Sequence, residues 1–357
     1  AAREAGDRKV EADVMGLWGR ALTWLSRHEE AEERLLAALE LAKQLGDLAL
    51  QGSCFTNLGI VADIGGDRAK ARSYFEQAHA PFMTTGDRDG TAGAVSNLSI
   101  VYWREGDLDA ARRFCEESLV LNRQTGDLDG QAKSLGNLGL LLNEQGRFAE
   151  AEARTREALE VARDMGSAYN VARMLGILSS ALAAQGDYEA SRAASAEALE
   201  LDLSVNDRQD ACFHYQGLAE VALALGDLDT AAERIGSGLA LARAIGERDA
   251  ERCLLHTKAL LALKRGDPPG CLAVAEEGRA LAAELGNAPG EAGALTLVGR
   301  ASLALGDLQG ARGAFTRATE LVGERRCVDA RVGLAQVALA EGDAAAALAA
   351  LEPCAEA

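Results

Sequence analysis

The chain has 357 residues and a net charge of −18, from 37 Lys and Arg against 55 Asp and Glu. Nucleic acids and anionic membrane surfaces bind proteins through basic patches, so neither is a predicted partner of this acidic chain. There is no run of 18 or more apolar residues, and the seven cysteines are odd in number, irregularly spaced and without a C-x-x-C pair. This pattern predicts no membrane-spanning helix and no disulfide framework, and it favours a reduced, cytoplasmic setting.

Glycine recurs along the chain with a 40-residue period, in two sets that are offset by half of that period. The first set is Gly6, Gly46, Gly86, Gly126, Gly166, Gly246 and Gly286. The second set is Gly66, Gly106, Gly146, Gly186, Gly226, Gly266 and Gly306. Asn206 stands at the one gap, and asparagine is the next-best residue for a left-handed backbone. A fixed period of this size indicates a repeat protein.

The stretches between these glycines have helical periodicity. In "AVSNLSIVYWRE" (residues 94–105), Val95, Leu98, Val101 and Tyr102 recur at steps that place them on one side of a helix. Glycine then ends the helix in the left-handed conformation, and the aspartate that usually follows caps the next helix. Each 40-residue unit is therefore predicted to be two antiparallel helices joined by tight turns.

Nine helix pairs are predicted, with starts near residues 9, 49, 89, 129, 169, 209, 249, 289 and 326. The opening "AAREAGD" resembles "LAKQLGD" at residues 41–47, so it is interpreted as the tail of an earlier second helix. No polar capping helix follows the last pair. We expect residues 1–357 to form a single array that is a fragment of a longer protein, because solenoids need capped ends.

Small residues stand at fixed positions in both helices of the pairs. In first helices they follow a large residue, at Trp18-Gly19, Leu58-Gly59, Leu98-Ser99, Leu138-Gly139, Leu178-Ser179 and Leu218-Ala219. Second helices carry Ala31, Ala71, Ala111, Ala151, Ala231, Ala311 and Ala347, with a large residue four positions later at Leu35, Phe75, Ile235 and Phe315. This pattern resembles the tetratricopeptide repeat (TPR), whose helices approach closely at such positions.

The resemblance covers nearly the whole chain and implies an all-α fold, a right-handed TPR superhelix or α-solenoid of about nine antiparallel helix pairs. The 40-residue unit is longer than the commoner TPR unit of about 34. That longer form is similar to the repeats of kinesin light chains, the spindle adaptor LGN, the bacterial Rap regulators and MalT-type ATPase activators. Family members bind peptides or helices in a concave groove lined mainly by first helices.

Three asparagines recur at one position of this expected groove. Asn57, Asn97 and Asn137 each precede the repeated leucine of a first helix. Asparagine at this position in related TPR proteins hydrogen-bonds the backbone of a bound peptide, and its amide offers both a donor and an acceptor. The alternative is that these side chains only satisfy local polar groups.

The same register places further candidate binding residues on the groove side. They are Thr56, Ser96, Trp103, Arg104, Lys133 and Asn143, followed in later units by Arg173, His256 and Arg300. Arginine and lysine would pair with carboxylates of a partner, and Trp103 would act as an aromatic anchor. Taken singly, each is as readily explained by packing between units or by a solvated surface.

Enzyme signatures are absent from the sequence. The four histidines are scattered, no Cys or carboxylate stands at metal-ligand spacing to them, and phosphate-binding glycine loops and nucleophile elbows are missing. We therefore predict no catalytic residue, no metal and no cofactor. The expected function is a scaffold that binds a partner protein or peptide. Two alternatives stay open: the ligand- or peptide-sensing arm of a multidomain bacterial ATPase or transcription regulator, and the repeat part of an enzyme whose catalytic domain lies elsewhere.

Overall fold

The computed structural model describes residues 2–323 and 327–355, with side chains for residues 6–323 and 327–352. These residues form 18 α-helices and no strand, so the predicted all-α class is confirmed. The chain divides into two compact units, Ala1–Ala181 (unit 1) and Leu182–Ala357 (unit 2), which are described separately.

Unit 1 contains four helix pairs and most of a ninth helix. Its helices are α1 (Ala2–Trp24), α2 (His28–Leu45), α3 (Leu48–Ile64), α4 (Arg68–Thr85), α5 (Arg88–Glu105), α6 (Leu108–Thr125), α7 (Leu128–Glu144), α8 (Phe148–Asp164) and α9 (Ala168–Ala184).

Unit 2 begins in the last turn of α9 and continues in the same alternation. Its helices are α10 (Tyr188–Ser204), α11 (Arg208–Leu225), α12 (Leu228–Ile245), α13 (Arg248–Lys264), α14 (Pro268–Glu284), α15 (Ala288–Ala304), α16 (Leu308–Val322), α17 (Val328–Ala340) and α18 (Ala344–Ala355). The start predicted near residue 326 lies outside the described residues.

The Gly-Asp turns form as predicted. Asp47 accepts a hydrogen bond from the backbone N–H of Leu50 at 3.1 Å, which caps α3. Equivalent caps are made by Asp67, Asp87, Asp107, Asp127, Asp187, Asp227, Asp267 and Asp307. Asn206 has φ of 58°, the left-handed conformation expected of it. The turns are therefore determined locally, by one residue that ends a helix and one that starts the next.

Gly6 is an exception, because the turn that the glycine period predicts at Gly6 and Asp7 does not form. α1 runs without a break from Ala2 to Trp24 and passes through Gly6 and Asp7.

Packing within each unit separates the two kinds of helix. First helices touch the next first helix, as in α3 with α5 and α5 with α7 in unit 1, and in α13 with α15 and α15 with α17 in unit 2. Among the described residues, second helices make no comparable contact with one another. Each unit therefore has one face lined by first helices, which we call its first-helix face.

Close approach within a pair depends on the small residues. A Cβ added at Gly59 would lie 2.5 Å from the ring of Phe75, and one at Gly299 would lie 2.6 Å from the ring of Phe315. Both phenylalanines are among the most deeply buried side chains. The glycines thus make room for rings that fill the space between paired helices.

Polar pairs replace apolar contacts at two of the interfaces between successive helix pairs. In unit 1, Asn122 Nδ2 donates to Ser134 Oγ at 3.2 Å. In unit 2, the equivalent positions hold Asp202 and His214, whose Oδ2 and Nδ1 lie 2.6 Å apart. Asp202 is fully buried, with 0% of its surface exposed, and its Oδ1 has no hydrogen-bond partner. The next such interface carries Ala242 and Leu254.

Candidate functional site

The three asparagines predicted to bind a peptide lie on the first-helix face of unit 1, one each on α3, α5 and α7. All three are half-buried, and each directly precedes a buried leucine, namely Leu58, Leu98 and Leu138. Because adjacent residues of a helix point about 100° apart, burying the leucine holds the asparagine at the edge of the core. We call Asn57, Asn97 and Asn137 the asparagine row.

The three amides have different partners. Asn57 Nδ2 donates to the carbonyl of Ser53 at 2.8 Å, which leaves its Oδ1 open. Asn137 Oδ1 accepts from an Arg173 guanidinium nitrogen at 3.1 Å, which leaves its Nδ2 open. Asn97 has no hydrogen-bond partner among the described residues. The row therefore offers at least one open acceptor, one open donor and one complete amide.

Two hydroxyls stand beside the row. Thr56 Oγ1 donates to the carbonyl of Gly52 at 3.0 Å, within its own helix. Ser96 is half-buried next to Asn97, and its hydroxyl has no partner in the described part of the chain. The side chains of Ser96 and Asn97 are therefore two adjacent polar groups of this face that have no hydrogen-bond partner in the described part of the chain.

Trp103 and Arg104 link first helices to one another. Trp103 Nε1 donates to Glu144 Oε2 at 2.5 Å, which joins α5 to α7. Arg104 forms an ion pair with Asp63 at 2.5 Å, which joins α5 to α3. The two partners of each contact are 41 residues apart in sequence, which is one 40-residue repeat plus one position. Both side chains therefore have a role in stacking the repeats.

Lys133 and Asn143 make similar contacts around α7. Lys133 Nζ lies 2.5 Å from Asp129 Oδ2, and Asn170 Nδ2 donates to the same carboxylate at 3.1 Å. Lys133 first, and Asn170 after it, lower the pKa of Asp129 against the opposing effect of its partial burial. Asn143 Nδ2 lies 3.5 Å from the carbonyl of Ile177, while its Oδ1 is buried without a partner.

The two remaining predicted residues belong to unit 2. His256 on α13 and Arg300 on α15 line a cleft of about 820 Å³, together with the start of α17. Asp329 also lines this cleft, and the sequence reasoning did not single it out. The structure thus gathers the earlier candidates on the first-helix face of unit 1 and these two in a cleft of unit 2.

The acidic partners on the first-helix face of unit 1 were also missed. Asp63, Asp129 and Glu144 were not singled out, because the chain has 55 acidic residues and acidic side chains are common along it. Their signal was the spacing of complementary side chains, since the contacts Asp63–Arg104, Asp129–Asn170 and Trp103–Glu144 all have the same sequence separation of 41.

The described residues contain no group of three or more His, Cys, Asp or Glu that could hold a metal ion. In the same part of the chain, no helix has both the length and the apolar character needed to cross a bilayer.

Several solved structures share this fold. The apo quorum sensor NprR from B. thuringiensis superimposes with a TM-score of 0.70 at 15% identity, over 88% of this chain and 88% of that chain. A Rap protein complexed with Competence and Sporulation Factor gives 0.65 at 14% identity, over 92% and 100%. A Signal Transduction ATPase with Numerous Domains that has a tetratricopeptide repeat sensor, from Pyrococcus horikoshii, gives 0.60 at 13% identity, over 91% and 51%. At these identities the likeness shows the fold.

Sequence comparison adds the family. A search of curated protein sequences found no significant match. Models described as "Tetratricopeptide repeat" match residues 10–80, 90–164, 136–206, 217–236 and 299–352, which together span more than half of the chain. The helix pairs, the glycine turns and the small-residue contacts are those of this repeat, and the chain belongs to the tetratricopeptide-repeat family.

Proposed function

We propose that this protein is a non-catalytic, cytoplasmic scaffold that holds a peptide or helix of a partner protein on the first-helix face of unit 1. The observation that carries the proposal is the asparagine row, in which amides recur at a 40-residue step and keep hydrogen-bonding groups open. We further propose that residues 1–357 act as one repeat array, taken from a longer protein.

Backbone recognition suits this arrangement. An extended peptide presents alternating N–H and C=O groups, and a primary amide pairs with either. The open acceptor of Asn57 and the open donor of Asn137 would each take one peptide group, and Asn97 would take two. Thr56, Ser96, Trp103, Arg104, Lys133, Asn143 and Arg173 would border the same segment, and Arg300 would serve a partner at unit 2.

A second function is favoured by the structural neighbours. One is a quorum sensor, another is in complex with Competence and Sporulation Factor, and a third carries a tetratricopeptide repeat sensor. The alternative is therefore a sensing arm, in which the array binds a peptide or small ligand and regulates a further domain of a bacterial ATPase or transcription regulator.

The test compares two triple variants with the wild type. Asn57→Ala, Asn97→Ala and Asn137→Ala remove the row. The control set Glu33→Ala, Ser73→Ala and Arg113→Ala changes exposed residues of α2, α4 and α6 at the same 40-residue spacing. A partner is captured from lysate of the source organism and identified, and its affinity for each folded variant is measured by calorimetry.

We expect the row variant to bind the partner at least about thirtyfold more weakly, since four hydrogen bonds are lost and each is worth about 0.5–1.5 kcal/mol. The control variant should stay within about twofold of the wild type, because surface changes away from a site have little effect. Equal affinity of all three proteins would show that the row is structural. Capture of only a low-mass ligand would favour the sensing arm.

A further inference from the structure

A groove runs between the second helices α10 and α12 of unit 2, with the first helix α11 as its floor. Its volume of about 750 Å³ falls in the range of about 300–1,000 Å³ typical of small-ligand sites. The lining residues of α11 run from Tyr215 to Leu225 through Leu218 and Ala222, which is about 15 Å of helix. We call this space the second-helix groove. It shares no residue with the cleft that the first helices of unit 2 line.

Small residues on α10 keep the second-helix groove open. Ala193 and Ala196 line it, and both are exposed. The positions equivalent to Ala196 in the second helices of unit 1 carry larger side chains, namely Leu36, Glu76, Glu116 and Arg156. An alanine in their place leaves volume beside the leucines of the floor, so that a ligand can reach them.

A charged bridge is also missing across this groove. In the neighbouring repeat of unit 2, Arg243 of α12 pairs with Glu277 of α14 at 2.9 Å and joins the two second helices. The equivalent positions of α10 and α12 hold Leu203 and Ser237. Leu203 is 49% exposed and lines the groove. Where the bridge would stand, the groove therefore has apolar surface that a ligand can cover.

Arg234 of α12 carries a positive charge that has no partner. The side chain lines the groove and is half-buried, and it makes no ion pair or hydrogen bond within the described part of the chain. The other arginine of the groove, Arg192, is paired with Glu189. An unpaired charge that is partly removed from water is costly, and a guanidinium binds a carboxylate through two parallel hydrogen bonds. Arg234 therefore has the charge and the free donors that a ligand carboxylate requires.

Tyr215 and Glu200 define the surroundings of Arg234. A Cβ added at Gly238, one turn after Arg234 on α12, would lie 3.0 Å from Tyr215 Cβ, so this tyrosine stands against the same helix. Among the described residues its hydroxyl has no partner and can donate. Glu200, on the α10 wall, is exposed and also makes no ion pair in that part of the chain. Its negative charge opposes anions, most strongly those with two charges.

We propose that the second-helix groove binds a fatty-acid-like molecule, with one carboxylate and one apolar chain. The carboxylate pairs with Arg234 and accepts a hydrogen bond from Tyr215, and the chain packs on the leucines of α10 and α11. A single charge suits the groove better than a phosphate would, because Glu200 stands on the opposite wall. The site lies on other helices than the asparagine row and goes beyond the proposed scaffold function, which needs no small ligand.

Three probes separate the apolar chain from the charge. They are decanoate, decan-1-ol, which has the same chain without the charge, and acetate, which has the charge without the chain. Each is titrated into the full protein below its micelle-forming concentration, and calorimetry measures the affinity. The protein has five tyrosines, so the Tyr215 ring signal can be assigned in NMR spectra by its loss in Tyr215→Phe. That signal reports where the probe binds.

We expect decanoate to bind saturably and to shift the Tyr215 signal along the same titration curve. Decan-1-ol should bind at least about tenfold more weakly, because it forms no charge-assisted hydrogen bond with Arg234. Acetate should also bind at least about tenfold more weakly, since it buries almost no apolar surface. Added salt should weaken the binding of decanoate, because it screens the contact with Arg234.

Charge variants test the contact with the carboxylate. Arg234→Gln should weaken the binding of decanoate at least about tenfold, and Glu200→Gln should strengthen it, because a repelling charge is removed. Arg208→Gln is the matched control, since Arg208 is exposed on α11 outside the groove, and it should change the affinity by less than about twofold.

A filling variant tests the groove itself. Ala196→Leu introduces the side chain that unit 1 has at Leu36, and it should remove most of the binding because it occupies the opening. Ala240→Leu places the same side chain on an exposed position of α12 outside the groove and should bind decanoate as the wild type does. Both variants should keep the melting temperature of the wild type, because leucine is nearly as good a helix former as alanine and both positions are exposed.

The proposal is overturned if decan-1-ol or acetate binds as tightly as decanoate, if Arg234→Gln binds decanoate normally, or if decanoate leaves the Tyr215 signal unchanged. Normal binding to Ala196→Leu would place the contact outside the groove and would overturn it as well. The triple asparagine variant should bind decanoate as the wild type does, so failure of this site and failure of the asparagine row are separate results.

Discussion

Replacing Gly299 by alanine should destabilise the protein even though alanine is the better helix former. The new methyl would lie 2.6 Å from Phe315 Cε1, well inside the 3.4–4 Å of ordinary van der Waals contact. Phe315 has 0% exposure, and a Cβ on Gly333 of α17 would also clash with the same ring. The ring is therefore held from two helices and cannot retreat.

The size of the effect follows from two opposing terms. Overpacking a filled core costs about 1–3 kcal/mol, and the crowding around Phe315 favours the upper end. Replacing a helical glycine by alanine gains about 1 kcal/mol. Gly299→Ala should therefore lower the free energy of unfolding by about 1–2 kcal/mol. Gly313→Ala is the matched control, because Gly313 is exposed in α16 of the same pair with nothing within 4 Å of its Cβ position, and it should stabilise by about 1 kcal/mol.

Urea unfolding followed by circular dichroism measures both variants. The unfolding midpoint should fall for Gly299→Ala and rise for Gly313→Ala. Adding Phe315→Leu should cost less stability in the Gly299→Ala background than in the wild type, because the smaller side chain relieves the clash. If Gly299→Ala is as stable as Gly313→Ala, the close approach of α15 and α16 does not depend on the missing Cβ.

Two further predictions concern buried polar groups. His214→Leu leaves the Asp202 carboxylate buried without its partner and should lower the free energy of unfolding, measured in urea, by about 3–5 kcal/mol. Asp202→Ala combined with His214→Leu reproduces the apolar pair Ala242 and Leu254 of the next repeat and should recover most of that loss. A double variant as unstable as the single one would contradict this. Burial raises the pKa of Cys115 to about 12, so the thiol should react with iodoacetamide at pH 8 only after the protein unfolds. Mass spectrometry measures the labelling. Rapid labelling of the folded protein would show that the thiol is accessible.

The repeat architecture was predictable because its signals are local. Gly66 and Asp67 end one helix and start the next through backbone conformation and a side-chain cap, which need no distant partner. The small residue at Gly59 and the large one at Phe75 mark a contact whose register recurs with the repeat. Gly6 shows the limit of such signals, because the same local pair, Gly6 and Asp7, lies inside α1.

The candidate site was only partly predictable, because its chemistry depends on what neighbouring helices contribute. The sequence places Asn97 and Arg104 on one face of α5. Only the packing of α3 against α5 shows that Arg104 forms an ion pair with Asp63, while the amide of Asn97 has no hydrogen-bond partner among the described residues. Side chains one repeat plus one position apart meet in unit 1 because successive first helices pack side by side, and no single repeat carries that information.

By itself the sequence determined the helices, their turns, the period and the family, since each follows from local backbone preferences and from the spacing of small and large side chains. The tertiary structure decided which polar groups are already paired and where space remains. It placed Asp202 against His214 in the core, and it left Arg300 facing an apolar cleft beside Gly293. Pairing and open volume are properties of three helices at once, and for that reason they appear only when the repeats are packed together.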